Sequence, residues 1–267
     1  MARIAANGVA FEVESAGSGG ETIVFIPGWA CDSSAWAIQF ADLARDNRCI
    51  SVNLRGRGGS EAVGPYDPST AARDVVAIME EMGAGPSVVV GHSLGGLIAL
   101  LVYDLRPDLV RGLVLGDSPL TAASGGGFAQ TVTLVREAGT MQVVADVIVE
   151  RFFVETTTDE VKEAVRAMML SCPAEIGAGM LDKGEVFVKR MGELLKQADK
   201  KPLMAIWSAN PLGNPERVRE ACPLIRQEPM GECGHFFQLE EPQLTIALLR
   251  TFLDDVRSDP RLAARST

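Results

Sequence analysis

The stretch from Ser87 to Tyr103 constrains the fold more than any other part of the chain. Ser-Val-Val-Val at 87–90 is followed at once by Gly91-His92-Ser93-Leu94-Gly95-Gly96 and then by the apolar run Leu97–Tyr103. An uninterrupted β-branched run predicts a strand buried on both faces, which belongs in a parallel sheet covered by helices. The apolar run is far shorter than the ~18 residues of a membrane span and predicts a core helix over Leu94–Asp104. The chain therefore turns from strand to helix almost on the spot. Side chains flanking so sharp a turn would collide, which accounts for Gly91 and Gly95.

The rest of the chain repeats this alternation. Strands are expected at Val9–Glu14, Thr22–Ile26, Arg48–Val52, Ser87–Val90, Val110–Leu115, Leu203–Ser208 and Leu224–Pro229. Helices are expected at Ser34–Ala44, Pro68–Met82, Leu94–Asp104, Pro215–Ala221 and Glu241–Arg257. Strand–helix alternation of this kind builds a parallel sheet with helices on both faces. Between Leu120 and Lys200 the rhythm is lost. That stretch carries only helical patterns, at Phe128–Ala138, Met141–Phe153, Asp159–Leu170 and Gly184–Ala198. It predicts a helical lid, residues 120–200, inserted into a core of residues 1–119 and 201–267. The run Gly125-Gly126-Gly127 is one expected hinge.

With 267 residues the chain has the size of one large domain, and such a core needs no metal or disulfide staple. The formal net charge is −10, from 25 basic and 35 acidic residues. So acidic a surface repels phosphate backbones and anionic lipid, so neither nucleic acid nor membrane is an expected partner. Five widely spaced cysteines without a C-x-x-C pair read as reduced, buried thiols. The first residues lack the apolar core of a secretory signal. The expectation is a soluble, cytoplasmic protein, monomeric or homodimeric.

Gly91-His92-Ser93-Leu94-Gly95 also fits the G-x-S-x-G pattern of a nucleophile elbow, in the strand-to-helix setting that pattern requires. The amide of Leu94, at the positive end of the following helix, then faces charge developing at Ser93. A serine hydroxyl needs a base, and the chain has two histidines. His92 neighbours Ser93 on the strand, so its side chain is expected to point away. His235, between the last strand and the last helix, is the expected base.

These segments resemble the α/β-hydrolase superfamily along nearly the whole chain. The matching stretches are Phe25-Ile-Pro-Gly28-Trp29 with Trp36, Asn53-Leu-Arg55-Gly56-Arg57-Gly58-Gly59-Ser60, Gly91–Gly96, and Gly234-His235-Phe236 with Glu240 and Pro242. The resemblance implies a mostly parallel eight-stranded sheet flanked by helices, with a helical cap after the sixth strand. It also implies that the amides of Trp29 and Leu94 form an oxyanion hole, that Arg55 is structural, and that no cofactor or metal takes part. Dehalogenases and epoxide hydrolases of the family carry aspartate at the elbow, so Ser93 argues against both.

Three departures from the family pattern stand out. The usual His-Gly before the oxyanion loop is Pro27-Gly28, the usual aspartate of the Arg-Gly-x-Gly loop is Asn53, and Asn210 stands where the catalytic acid is expected. An imidazolium is best stabilised by a buried carboxylate. Asp117, ending the strand before the lid, is the candidate, because some superfamily members place the acid there. The alternative is that Asp117 caps a turn and a Ser–His dyad operates, with Glu240 and Glu216 as less favoured acids near surface helix ends.

The expected pocket combines Trp29, Leu120, Phe128, Phe152, Phe153, Trp207 and Phe236, suited to a small apolar or weakly polar organic substrate. Two functions follow from the resemblance. One is hydrolysis of an ester, lactone or related carbonyl compound through an acyl-enzyme on Ser93. The other, suggested by Pro27-Gly28-Trp29 and Trp207-Ser-Ala-Asn-Pro, is cofactor-free 2,4-dioxygenation of a quinolone-type heteroaromatic by the His235/Asp117 pair.

Overall fold

A computed structural model describes residues 1–121, 127–147 and 149–260. Eight strands form one sheet: β1 (Ala2–Ala6), β2 (Val9–Ala16), β3 (Thr22–Ile26), β4 (Arg48–Val52), β5 (Ser87–His92), β6 (Val110–Gly116), β7 (Leu203–Trp207) and β8 (Arg226–Pro229). Their order across the sheet is β1-β2-β4-β3-β5-β6-β7-β8. β2 pairs antiparallel with β1 and β4, and every pairing from β4 to β8 is parallel. β1 has no counterpart among the expected strands. Its short Ala-Arg-Ile-Ala-Ala run is mostly exposed, so no apolar alternation marks it. At the other edge, β8 starts at Arg226 rather than Leu224 because an edge strand there has no core to bury Leu224, which is 66% exposed.

Alternate residues of the central strands serve two cores, as a two-sided sheet requires. Ile23, Phe25, Val88, Val90, Val114, Met204 and Ile206 face one layer. That layer is built by a 3₁₀ turn (Ser33–Trp36), α1 (Ala37–Leu43) and the last helices. Val24, Ile26, Val89, Leu113 and Leu115 face the other, built by α2 (Pro68–Glu81) and α3 (Leu94–Leu105). In α3 ten of twelve residues are buried, because α2 and the sheet enclose it. The expected helix at Ser34–Ala44 is therefore split. Asp32 accepts from the Ser34 amide at 3.0 Å and starts the tighter turn.

Between β6 and β7 lie α4 (Phe128–Ala138), α5 (Gln142–Val147), a 3₁₀ turn (Val149–Phe152), α6 (Asp159–Leu170), α7 (Ala174–Leu181) and α8 (Gly184–Ala198). Of these, α7 was not legible from periodicity. The expected helix Met141–Phe153 is two short pieces. After β7 follow α9 (Pro215–Ala221), β8, the one-turn α10 (Phe237–Glu240) and α11 (Pro242–Ser258). Gly125 and Gly126 of the glycine run lie outside the described residues, while Gly127 precedes α4 at φ +71°.

Two buried side chains on loops that follow β3 and β4 join this helical segment to the core. The guanidinium of Arg57, 2% exposed, donates to the Met168 carbonyl and the Ser171 hydroxyl, each at 2.9 Å. The Trp29 indole N–H donates to the Gly177 carbonyl at 2.8 Å. Among the described residues no helix is long and apolar enough to cross a membrane.

Candidate active site

The site gathers at the carboxyl ends of the parallel strands, where open α/β sheets bind ligands. Ser93 is the single residue between β5 and α3. Its backbone stands at φ +53°, ψ −120°, a conformation that costs a non-glycine residue roughly 1–3 kcal/mol. Its amide, donating to the Gly116 carbonyl at 2.7 Å, ties the turn to β6. The flanking glycines are obligatory for contact reasons. A Cβ on Gly91 would lie 2.2 Å from the Gly95 carbonyl oxygen, and one on Gly95 would lie 2.4 Å from that of Ile26. These obstacles are backbone, so no side-chain repacking relieves them.

The loop after β3 runs beside the elbow. Neither the Trp29 nor the Leu94 amide donates to a backbone or side-chain acceptor among the described residues. Gly28 packs against His92: a Cβ there would sit 2.9 Å from the His92 Nδ1. Asn53 fits its altered position, accepting from the Ser33 amide at 2.7 Å and donating to Glu12 at 3.0 Å. Arg55 forms a buried two-bond pair with Asp74, at 2.5 and 2.8 Å.

His235 follows β8 on a loop and is only 5% exposed. Its Nδ1 lies 2.6 Å from Oδ2 of Asp117, which is fully buried just after β6. With Nδ1–H donating to the carboxylate, Nε2 keeps the ring's lone pair. The other Asp117 oxygen accepts from the Ser208 amide at 3.4 Å. Asn210 is exposed. Glu216 lies in the first turn of α9. Glu240 is half-buried rather than at a free surface. Its Oε2 accepts from the Gly234 amide at 3.0 Å and the Thr157 hydroxyl at 2.9 Å, bracing the His235 loop.

The way two residues brace His235 lay beyond sequence reasoning. The His235 amide donates to the Phe152 carbonyl at 2.8 Å, and the Phe152 ring lies over the imidazole with centroids 4.5 Å apart and planes 33° apart. On the other side the His92 ring is 4.5 Å away, and its Nε2 is 2.9 Å from the His235 carbonyl oxygen. Burial, with His235 adding a smaller push, holds the His92 pKa well below the ordinary histidine value of 6.5. His92 is therefore neutral, with Nε2–H the donor and Nδ1 buried without a partner. Its place in Gly-His-Ser gave a signal only for sheet geometry, not for this bond.

Ser93 and His235 line one cavity of about 380 Å³. Trp29, Phe128, Phe152 and Phe236 line it too, and so does Cys31, whose thiol burial pushes up to about 12. Three expected lining residues do not. Leu120 is fully buried in the core below the helical segment. Trp207 ends β7 and turns its indole N–H to Gln227 at 2.7 Å. Phe153 lines a separate small crevice, with the Arg166 guanidinium 5.8 Å from its ring centre. Leu134 and Met169, from helices whose apolar positions read simply as packing, and Leu181 of the unexpected α7 take their places.

A family model described as "Alpha/beta hydrolase family" matches residues 23–248. The chain belongs to the alpha/beta hydrolase family. Hydrolysis is accordingly its class of chemistry. A relative within the family is the soluble epoxide hydrolase of Corynebacterium sp. (strain C12), 27% identical over 94% of this chain and 96% of that protein. Another is the dihydrolipoyllysine-residue acetyltransferase component of the acetoin cleaving system of Pseudomonas putida, 23% identical over 90% of this chain. The chain spans 65% of that protein's length. Its fold is shared with the enol-lactonase from Burkholderia xenovorans LB400, at a TM-score of 0.83 and 22% identity, covering 95% of this chain and all of that one.

Proposed function

We propose that this alpha/beta hydrolase cleaves a carboxylic ester, lactone or related carbonyl compound through an acyl-enzyme on Ser93. His235 takes the serine proton through Nε2 as the hydroxyl oxygen attacks the carbonyl carbon. The negative charge that forms on the carbonyl oxygen is met by the Trp29 and Leu94 amides, which have no acceptor among the described residues. The leaving alcohol takes the proton back from His235. A water activated by the same imidazole then releases the acid and restores Ser93. Asp117 fixes the ring and stabilises the imidazolium between these steps. The residues from 120 to 200 act as a cap, since Phe128 and Phe152 from that segment help enclose Ser93.

The observation that carries this reading is the 2.6 Å contact between His235 Nδ1 and the buried Asp117, at a cavity that Ser93 shares. The resemblance to an enol-lactonase agrees with it at the level of fold. The aspartate that epoxide hydrolases of the family carry at the elbow is Ser93 here, so the kinship to one of them does not transfer that reaction. The test is Ser93→Ala. A fluorophosphonate should add one equivalent to the native protein and none to the variant, and ester turnover should fall steeply. In a serine protease the corresponding loss is on the order of 10⁶ in kcat. Retention of more than a tenth of the activity without labelling would sink the acyl-enzyme and leave cofactor-free oxygenation by the His235/Asp117 pair, checked by oxygen uptake with an alkyl-quinolone.

A further inference from the structure

Outside Ser93, His92 and His235 most of the cavity wall is apolar. Among its described lining residues Arg151 is the one with a permanent charge. Arg151 belongs to the 3₁₀ turn that also supplies Phe152, whose ring and carbonyl engage His235, so its backbone is anchored one residue from the catalytic imidazole. No carboxylate among the described residues pairs with it. Its neighbour Glu150 is engaged by Arg166 instead. Gln130 and Thr131, from the first turn of α4, line the same cavity, and their side chains have no hydrogen-bond partner in the described residues. A cation and two neutral polar groups, without partners among the described residues, thus border the cavity that Ser93 and His235 also line.

Arg55 is buried and spent on Asp74, whereas Arg151 is an exposed residue at the edge of the cavity. A guanidinium at the solvent edge of a mostly apolar cavity is placed to meet an anion that arrives with the ligand, and its planar fork matches a carboxylate with two parallel hydrogen bonds. We propose that Arg151 selects substrates bearing a carboxylate remote from the scissile carbonyl, with an apolar spacer between them. This rests on the acyl-enzyme reading and narrows its substrate class to anionic esters or lactones. It also gives the acidic protein a local exception to its own field, which otherwise disfavours anions.

The experiment compares matched substrates that differ only in charge. One pair sets mono-p-nitrophenyl esters of linear dicarboxylic acids against p-nitrophenyl alkanoates of equal length. A second pair, 4-butyryloxybenzoate against phenyl butyrate, moves the carboxylate to the alcohol side. In the native protein the anionic member of at least one pair should be favoured in kcat/KM. Arg151→Gln should lower that anionic-to-neutral ratio roughly tenfold, Arg151→Lys should restore part of it, and 0.5 M salt should erode it. A merely structural Arg151 would change both members alike. Ratios in both pairs that do not respond to Arg151→Gln would overturn the proposal. If Ser93 still labels with fluorophosphonate in that case, the substrate class alone has failed; if it does not label, the acyl-enzyme reading has failed with it.

Discussion

Replacing His92 by glutamine isolates a pH dependence that the structure assigns to one buried ring. His92 is fully buried and neutral, and its Nε2–H is spent on the His235 carbonyl. In the unfolded chain the same imidazole takes up a proton as the pH falls through about 6.5. Below that value the unfolded state binds one more proton than the native state, so stability falls as the pH falls. The contribution is fully present above about pH 7.5 and continues to be lost down to the depressed native pKa. Integrated from pH 7.5 to 5.5, one such proton removes roughly 1.4 kcal/mol. Glutamine keeps an N–H donor for the His235 carbonyl but does not titrate. The variant should be less stable at every pH, while losing about 1.4 kcal/mol less than the native protein between those two values. Urea unfolding at pH 7.5, 6.5 and 5.5 measures both curves, and groups common to the two proteins cancel in the difference. Parallel loss of stability in the two proteins would show that His92 takes up its proton in the folded state too, and the neutral ring assigned to it would be wrong.

Asp117→Asn should fold normally, because the side chain is isosteric, yet lose kcat on the order of 10⁴ if the ring is left in the wrong tautomer. Normal turnover of this variant would remove Asp117 from the mechanism; after the expected loss, Asn210→Asp in its background should restore part of the activity. Asp74→Asn breaks the buried pair with Arg55 and should cost about 3–5 kcal/mol, read as a lower urea midpoint; a loss under 1 kcal/mol would mean that water reaches the guanidinium.

What could be read from residues alone follows from how each feature is encoded. β3, β5 and α3 are buried on all sides, so an unbroken apolar run marks each of them, and the glycines of the elbow record a backbone-to-backbone contact that admits no other residue. Two histidines left a short search, which is why the contact between His235 and Asp117 could be anticipated. β1 is an exposed edge of small residues, and α7 is a short helix whose Gly177 and Gly179 break any stripe; neither has a periodic signal to give. The pocket was the least legible part. Whether Leu120 or Leu181 meets the cavity depends on how helices from distant segments sit on the sheet, and both are simply leucines in sequence. The Phe152 carbonyl is a backbone atom and has no sequence signature.

The distribution of the three tryptophans makes this site visible to light. Trp36 is sealed in the core with its indole N–H on the Ile26 carbonyl, and Trp207 is held by Gln227. Trp29 alone lines the cavity, and its indole is fastened to Gly177 on the helical segment. Filling the cavity or lifting α7 therefore changes the surroundings of one fluorophore and leaves the other two as an internal reference. Emission from the unmodified chain becomes a label-free record of occupancy, and Trp29→Phe supplies its blank.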